Sequence, residues 1–327
     1  MTTKFEPDAA PPPPKTFQTL AWLRLMRLPN VFTAIADVAM GYLFVHGKFV
    51  DPAKLACLIA ASALLYTAGM VLNDVFDIEV DRKERPFRPL PLGRISIGVA
   101  RTFGFTLLVL GVGCGWLAGF VPGDAAVPWR SGIVATSLAA CVLMYNGVFK
   151  STPGGPVLMG LCRFLNVLLG MSASPQIWHD FLYYYSSAEL LAAAGIGIYI
   201  VGVTVFARGE AATSKGMLLL NALIVMVCGA AVLGVSIKFN PPWTRGIDDT
   251  LYWMLLGLLM VTVLRRGFTA VLDPTPERVQ AAVKHSILSL IWLDAATALF
   301  VAPPVYAVAI AALLVPALLL GRWVYST

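Results

Sequence analysis

Ten long apolar stretches dominate this chain and limit what it can fold into. They run near 31–46, 55–76, 99–121, 131–149, 157–173, 188–207, 217–236, 250–264, 286–301 and 304–321. A helix that crosses the hydrocarbon core of a bilayer needs about 20 mainly apolar residues. The last two stretches are separated by little more than Pro303. They read either as one broken helix or as a tight hairpin, which leaves nine or ten spans. The fold class expected is all-α, a polytopic transmembrane helical bundle of about nine or ten spans.

Composition supports the bilayer as solvent. Hydrophobic residues make up 58% of the 327, and charged residues only 13%. Ordinary soluble domains carry roughly 25% charged and 45–50% apolar residues. One membrane domain over residues 16–327 is expected, after a disordered, Pro-rich cytoplasmic tail over residues 1–15. That tail has no apolar core behind basic residues, so it does not read as a signal peptide. Segment 16–27, FQTLAWLRLMRL, mixes aromatic, Leu and Arg residues and reads as an interfacial helix before the first span. The five cysteines (57, 114, 141, 162 and 228) lie inside apolar runs without paired spacing, which fits buried thiols better than disulfides or metal sites.

The net charge of +6 marks topology, not nucleic acid. Of the 24 Lys and Arg residues, Lys48, Lys54, Arg130, Lys238 and Arg245 fall on one side, Arg163 lies within a span, and the other 18 fall on the N-terminal side. Basic loops stay in the cytoplasm. The N-terminus and the loops 77–98, 150–156, 208–216 and 265–285 are therefore expected to be cytoplasmic.

The densest charge lies in residues 73–94, NDVFDIEVDRKERPFRPLPLGR, at the end of the second apolar run. Asn73, Asp77 and Asp81 are spaced four apart and share one face if the helix continues. Asp74 sits beside that face. One intramembrane carboxylate costs about 2.5–3.5 kcal/mol on insertion scales, and clustered carboxylates also repel. A hard divalent cation resolves both. Mg2+ takes oxygen ligands and is commonly shared between one or two carboxylates and substrate phosphates. Arg88 and Arg94, in the basic loop that follows, offer phosphate contacts. The plainer reading is a charged loop that caps a helix and fixes topology. Acids and bases together at a bilayer edge suit a diphosphate with an apolar tail.

The run Asn73-Asp74-x-x-Asp77-x-x-x-Asp81, followed by Arg88-Pro89-Leu90-Pro91-x-Gly93-Arg94-Ile95-Ser96, resembles the first aspartate motif of the UbiA superfamily of intramembrane prenyltransferases. Arg27-Leu28-Pro29-Asn30 and Tyr145-Asn146-x-x-x-Lys150 extend the likeness. Gly160-Leu-Cys-Arg163-x-Leu-Asn166 and Ala207-Arg208-Gly209-Glu210 are more narrowly similar to its EboC-like branch. The resemblance implies a bundle around a central cavity open to lipid. It implies Mg2+ held at Asn73, Asp74, Asp77 and Asp81, against an isoprenyl diphosphate. Asp77, Asp81 and Lys150 would be catalytic; Arg27, Asn30, Arg88, Arg94, Tyr145 and Arg163 would bind substrate. A bacterial inner membrane is the setting expected, with the site facing the cytoplasm.

The superfamily carries a second aspartate motif after its sixth span. Here that loop is ARGEAATSKG over residues 207–216, without Asp. Glu210, its only acid, is expected with Arg208 and Lys215 among the substrate-binding residues; either the two cations neutralise phosphate in place of a second metal, or turnover is weak or absent. Arg163, Asp294 and Asp37 lie within spans and are functional candidates by position. Arg163 and Asp294 can equally pair with each other or with backbone. His46, His179 and His285 lack metal-ligand spacing, and Tyr183, Tyr184 and Tyr185 fit an interfacial aromatic belt. Two functions follow: Mg2+-dependent transfer of an isoprenyl group to a small or lipid-soluble acceptor, or carriage of a prenylated or hydrophobic metabolite through an inherited cavity. Membrane lipid is a partner under both, and nucleic acid under neither.

Overall fold

A computed structural model describes residues 15–123, 125–176, 185–208, 216–239 and 246–324. Residues 1–14 of the expected tail, His179, Tyr183, Tyr184, Glu210 and Lys215 lie outside those residues, while Lys15 opens the first helix. Every described element is helical: α1 (Lys15–Leu25), α2 (Leu28–His46), α3 (Pro52–Phe76), α4 (Ile78–Glu84), α5 (Ile97–Phe120) and α6 (Arg130–Met144) come first. A π-helical turn (Tyr145–Phe149) leads on to α7 (Gly155–Met171), α8 (Ser187–Ala207) and α9 (Gly216–Ser236). The chain ends with α10 (Asp249–Leu272), α11 (Pro276–Val301), α12 (Pro304–Ala312) and α13 (Leu314–Trp323).

Among the described residues, nine helical stretches are long and apolar enough to cross a membrane, and α7 is a shorter apolar helix. The protein is an integral membrane protein of the class expected. Each helix from α5 to α11 packs on the next, and α2 joins α11 to α3 while also packing on α7. The Pro303 region resolves as a tight hairpin, because α12 folds back on α11 and α13 reaches α2. Two lengths differ from expectation. Helix α10 continues through Arg265 and Arg266 to Leu272, and α11 starts at Pro276, so the expected loop 265–285 is mostly helix. Charged side chains on a helix that emerges into water do not end it; Asp273 and the Pro276 region do.

Helices α2 and α7 meet backbone to backbone. A Cβ on Gly41 would lie 2.5 Å from the Val167 carbonyl oxygen, and one on Gly170 would strike the backbone of Val38. Small residues allow such backbone approach in membranes. Beside that contact the interior carries a buried polar cluster. Arg163 on α7 donates to Asp37 Oδ2 at 2.7 Å and Thr33 Oγ1 at 2.7 Å, and Asn166 donates to Asp37 Oδ2 at 3.0 Å. Ser62 on α3 donates to Asn166 Oδ1 at 2.7 Å. Arg163 thus pairs with Asp37 on α2, a partner the sequence reading did not name for it.

A second apolar cluster organises the charged end. Ala21 and Leu25 of α1, Val71 and Val75 of α3, Leu90 and Ile95 of the 85–96 loop, and Ala100 of α5 pack together. Trp22 meets Phe103 edge-on at 5.0 Å. This cluster carries the interfacial helix and the basic loop to the mouth of α3.

Candidate active site

The helix breaks at the motif. Asp77 lies between α3 and α4 with φ −85° and ψ 3°. The hydrogen bonds nevertheless keep helical spacing, from Asp77 N to Asn73 O at 3.0 Å and from Asp81 N to Asp77 O at 2.8 Å. Four polar side chains emerge, and they divide into two pairs. Asn73 Oδ1 accepts from Lys150 Nζ at 2.7 Å, and Asp77 Oδ2 forms a short ion pair with the same ammonium. Asp74 Oδ1 and Asp81 Oδ2 share Arg88 Nη1, at 3.2 and 2.7 Å. Arg27 Nη2 adds a second cation on Asp74 Oδ1, at 3.1 Å. Three carboxylates (Asp74, Asp77 and Asp81) therefore face three cations (Arg27, Arg88 and Lys150).

Each cation arrives from a different segment, and local structure explains how. Arg27 sits between α1 and α2 at φ 45°, the only non-Gly residue at positive φ among those described. Left-handed backbone costs an L-residue roughly 1–2 kcal/mol, here beside the ion pair that Arg27 makes. Arg88 lies in the proline turn, where Leu92 N bonds Arg88 O at 3.1 Å and Gly93 supplies a left-handed φ of 67°. Lys150 follows the π-helical turn, with its amide on Tyr145 O at 2.9 Å. Asn146 inside that turn donates to Gly69 O of α3 at 3.1 Å and ties it to the motif helix. Single π-turns often mark functional sites.

Burial differs across the site. The Asp81 and Arg88 side chains are 2% and 7% exposed, whereas those of Asp77 and Lys150 are 20% and 33% exposed. The Asp77–Lys150 pair is the open mouth; Asp81–Arg88 is its floor. Burial lowers the Lys150 pKa from the usual lysine range, while its bond to Asp77 works against that shift.

The other expected residues separate. Arg94 is half-buried in the same turn, and Tyr145 opens the π-turn beneath Lys150. Asn30 lies one turn after Arg27, with its amide on Arg27 O at 3.0 Å. Arg208 lies against the carbonyls of Lys150 and Thr152. Arg163 is buried in the interior cluster with Asp37, away from the motif carboxylates it was expected to serve alongside. Tyr66 was missed in the sequence. Its ring lies 5.3 Å from the Arg163 guanidinium. The signal was there: Ser62, Tyr66, Gly69, Asn73 and Asp77 recur at helical spacing and form a polar stripe along one face of α3.

The donor set suits a hard cation. Asn73 and Asp77 already share one positive nitrogen, and Asp74 and Asp81 share another, so each oxygen pair accommodates a cation between its members. Among the described residues no group of three or more His, Cys, Asp or Glu converges tightly enough to hold a metal alone. A metal here would complete its shell with water and phosphate oxygens, as Mg2+ commonly does.

A model of the UbiA prenyltransferase family matches residues 34–288, which include the motif helix, the π-turn and Lys150. The chain belongs to that family. Among its relatives, digeranylgeranylglyceryl phosphate synthase of Methanoculleus marisnigri is 26% identical over 277 residues, spanning 77% of this chain and 95% of that one. Two others of that name align over only 33% and 56% of their own length. A solved structure described for digeranylgeranylglyceryl phosphate synthase has a TM-score of 0.59 at 21% identity, covering 87% of this chain and 99% of the other. A UbiA homolog from Archaeoglobus fulgidus, bound to DMAPP and Mg2+, has a TM-score of 0.50 at 15% identity, covering 84% and 98%. These structures share the fold.

Proposed function

We propose that this protein transfers an isoprenyl group from a prenyl diphosphate to a lipid-soluble acceptor, with Mg2+, at the Asp77–Lys150 mouth. The observation that carries this reading is the gathering of three carboxylates and three cations from four segments at one end of an apolar bundle. Asn73, Asp74, Asp77 and Asp81 are the residues that would hold Mg2+, which opposes the charge of a diphosphate leaving group when bound. Arg27, Arg88 and Lys150 balance the carboxylates, and they turn to phosphate oxygens when a diphosphate enters. Lys150 is the most exposed of the three and meets the ligand first. Arg27 and Arg88, bridged by Asp74, set the depth at which the diphosphate stops. The tail lies among the apolar helices, where scarce water protects a cationic allylic carbon from hydrolysis.

The relatives named digeranylgeranylglyceryl phosphate synthase make a glyceryl phosphate the acceptor class to test first. Those relatives lend no support to the narrower EboC-like likeness or to a bacterial membrane. The basic bias supports a cytoplasmic mouth. The missing Asp in residues 207–216 favours a second reading, a carrier that binds prenyl diphosphate without cleaving it.

Diphosphate release by the purified protein, with geranyl, farnesyl and geranylgeranyl diphosphates and a lipid-soluble glyceryl phosphate as acceptor, separates the two. Mg2+-dependent release that falls by two orders of magnitude or more in Asp77→Asn is the expected result, on the scale of a lost electrostatic catalyst. Saturable Mg2+-dependent binding with no release by the wild type would overturn transfer and leave the carrier.

A further inference from the structure

We infer that Arg208 is a positioning residue for Lys150, acting on the first motif through its grip on the Lys150 backbone. This rests on the prenyl diphosphate reading of the site. Arg208 follows the last residue of α8 and reaches across to the turn that ends the π-helix. Its Nη2 donates to Lys150 O at 2.6 Å and to Thr152 O at 2.7 Å. Both hydrogens of that nitrogen are thereby committed to backbone. The carbonyls it meets sit at the C-terminal end of a helical run, where the helix dipole is negative and a guanidinium is favoured.

The turn is built to receive it. Thr152 N and Thr152 Oγ1 both donate to Phe149 O, at 2.9 and 2.8 Å, and Gly155 N donates to Thr152 O at 3.1 Å. A side chain at position 155 would collide with the Arg208 guanidinium and come within 2.6 Å of Phe149 O. Gly155 keeps the seat open. On the other side of the same residue, Lys150 N is held by Tyr145 O and Lys150 Nζ by Asn73 and Asp77. Arg208 fixes the backbone of Lys150, and Lys150 bridges the two motif residues at the mouth. The geometry makes Arg208 act through Lys150.

Competitive acetylation of lysines, followed by mass spectrometry on the full-length protein in detergent, tests this without requiring turnover. Arg208→Gln is expected to raise the labelling rate of Lys150 about tenfold, the scale of a lost hydrogen bond to a charged group. Lys83 and Lys284 serve as internal references and stay unchanged. Gly155→Ala, which closes the seat while leaving the charge, is expected to do the same. Unchanged Lys150 labelling in both variants, or a rise at every lysine, overturns the proposal; the latter marks a role in folding alone. A double-mutant cycle on diphosphate release adds a second readout. Arg208→Gln is expected to lower kcat in the wild type and to be silent in Lys150→Met; additive losses mean direct phosphate contact and overturn it. A wild type that releases no diphosphate refutes the catalytic reading, while the labelling result still decides the role of Arg208.

Discussion

Two aspartates in one motif carry different burdens. Asp81 and Arg88 form a nearly dry pair, and removing one partner of a buried pair typically costs about 3–5 kcal/mol because a charge is left stranded. Asp77 is open enough for water to compensate, and its partner Lys150 is more open still. Asp81→Asn is therefore expected to lower the melting temperature of the detergent-solubilised protein strongly, and activity with it. Asp77→Asn is expected to remove activity at near wild-type melting. Size-exclusion traces recorded after a temperature series measure both, and an Asp81→Asn protein as heat-stable as the wild type would contradict the assignment. At this scale the motif itself was readable, because one helix carries Asn73, Asp74, Asp77 and Asp81 at spacings that sequence displays. How they divide was not. Pairing Asp74 with Asp81 and Asn73 with Asp77 depends on where Arg88 and Lys150 arrive, and those arrive from a proline turn and a π-turn.

Helices were readable where apolar length decides and unreadable where packing does. All ten apolar stretches correspond to helical segments, since the bilayer requirement acts on each alone. The ends of α10 and α11 escaped, because Arg265 and Arg266 mark where apolar sequence stops but do not stop helix. The α2–α7 contact was equally hidden. Gly41 and Gly170 are two among 28 glycines, and nothing in either run distinguishes them until the two backbones meet. Their closeness makes a sharp expectation. Gly170→Val places two methyl groups against the Val38 backbone and must part α2 from α7. The Arg163–Asp37 and Asn166–Asp37 bonds span the same seam and are lost with it. Loss of folded protein in Gly170→Val, alongside a stable Gly257→Val on α10, where an added Cβ meets nothing within 4 Å, is the expected outcome. Equal yields of monodisperse protein from both would show the seam to be looser than described.

At the scale of the whole molecule, contacts sort charge by end. Arg27, Asp74, Asp77, Arg88, Lys150 and Arg208 are linked at one end by the bonds of the site. At the other end Arg130 bonds the Ser172 and Ser174 carbonyls at 3.0 and 2.9 Å and lies 4.9 Å from the Tyr185 ring. The site end is the one rich in basic loops, and the sequence alone anticipated that, because topology depends on counting charge between spans. Orientation then becomes measurable. Phe87 is 66% exposed beside the site, and Lys48 is exposed in the α2–α3 turn. In a cysteine-free background, Phe87→Cys should react with an impermeant maleimide in inverted vesicles and not in right-side-out ones, and Lys48→Cys should do the reverse. The reversed pattern would put the mouth outside the cell. Soluble prenyl diphosphate from the cytoplasm would then have no direct way in, and the donor would have to reach Lys150 through the lipid.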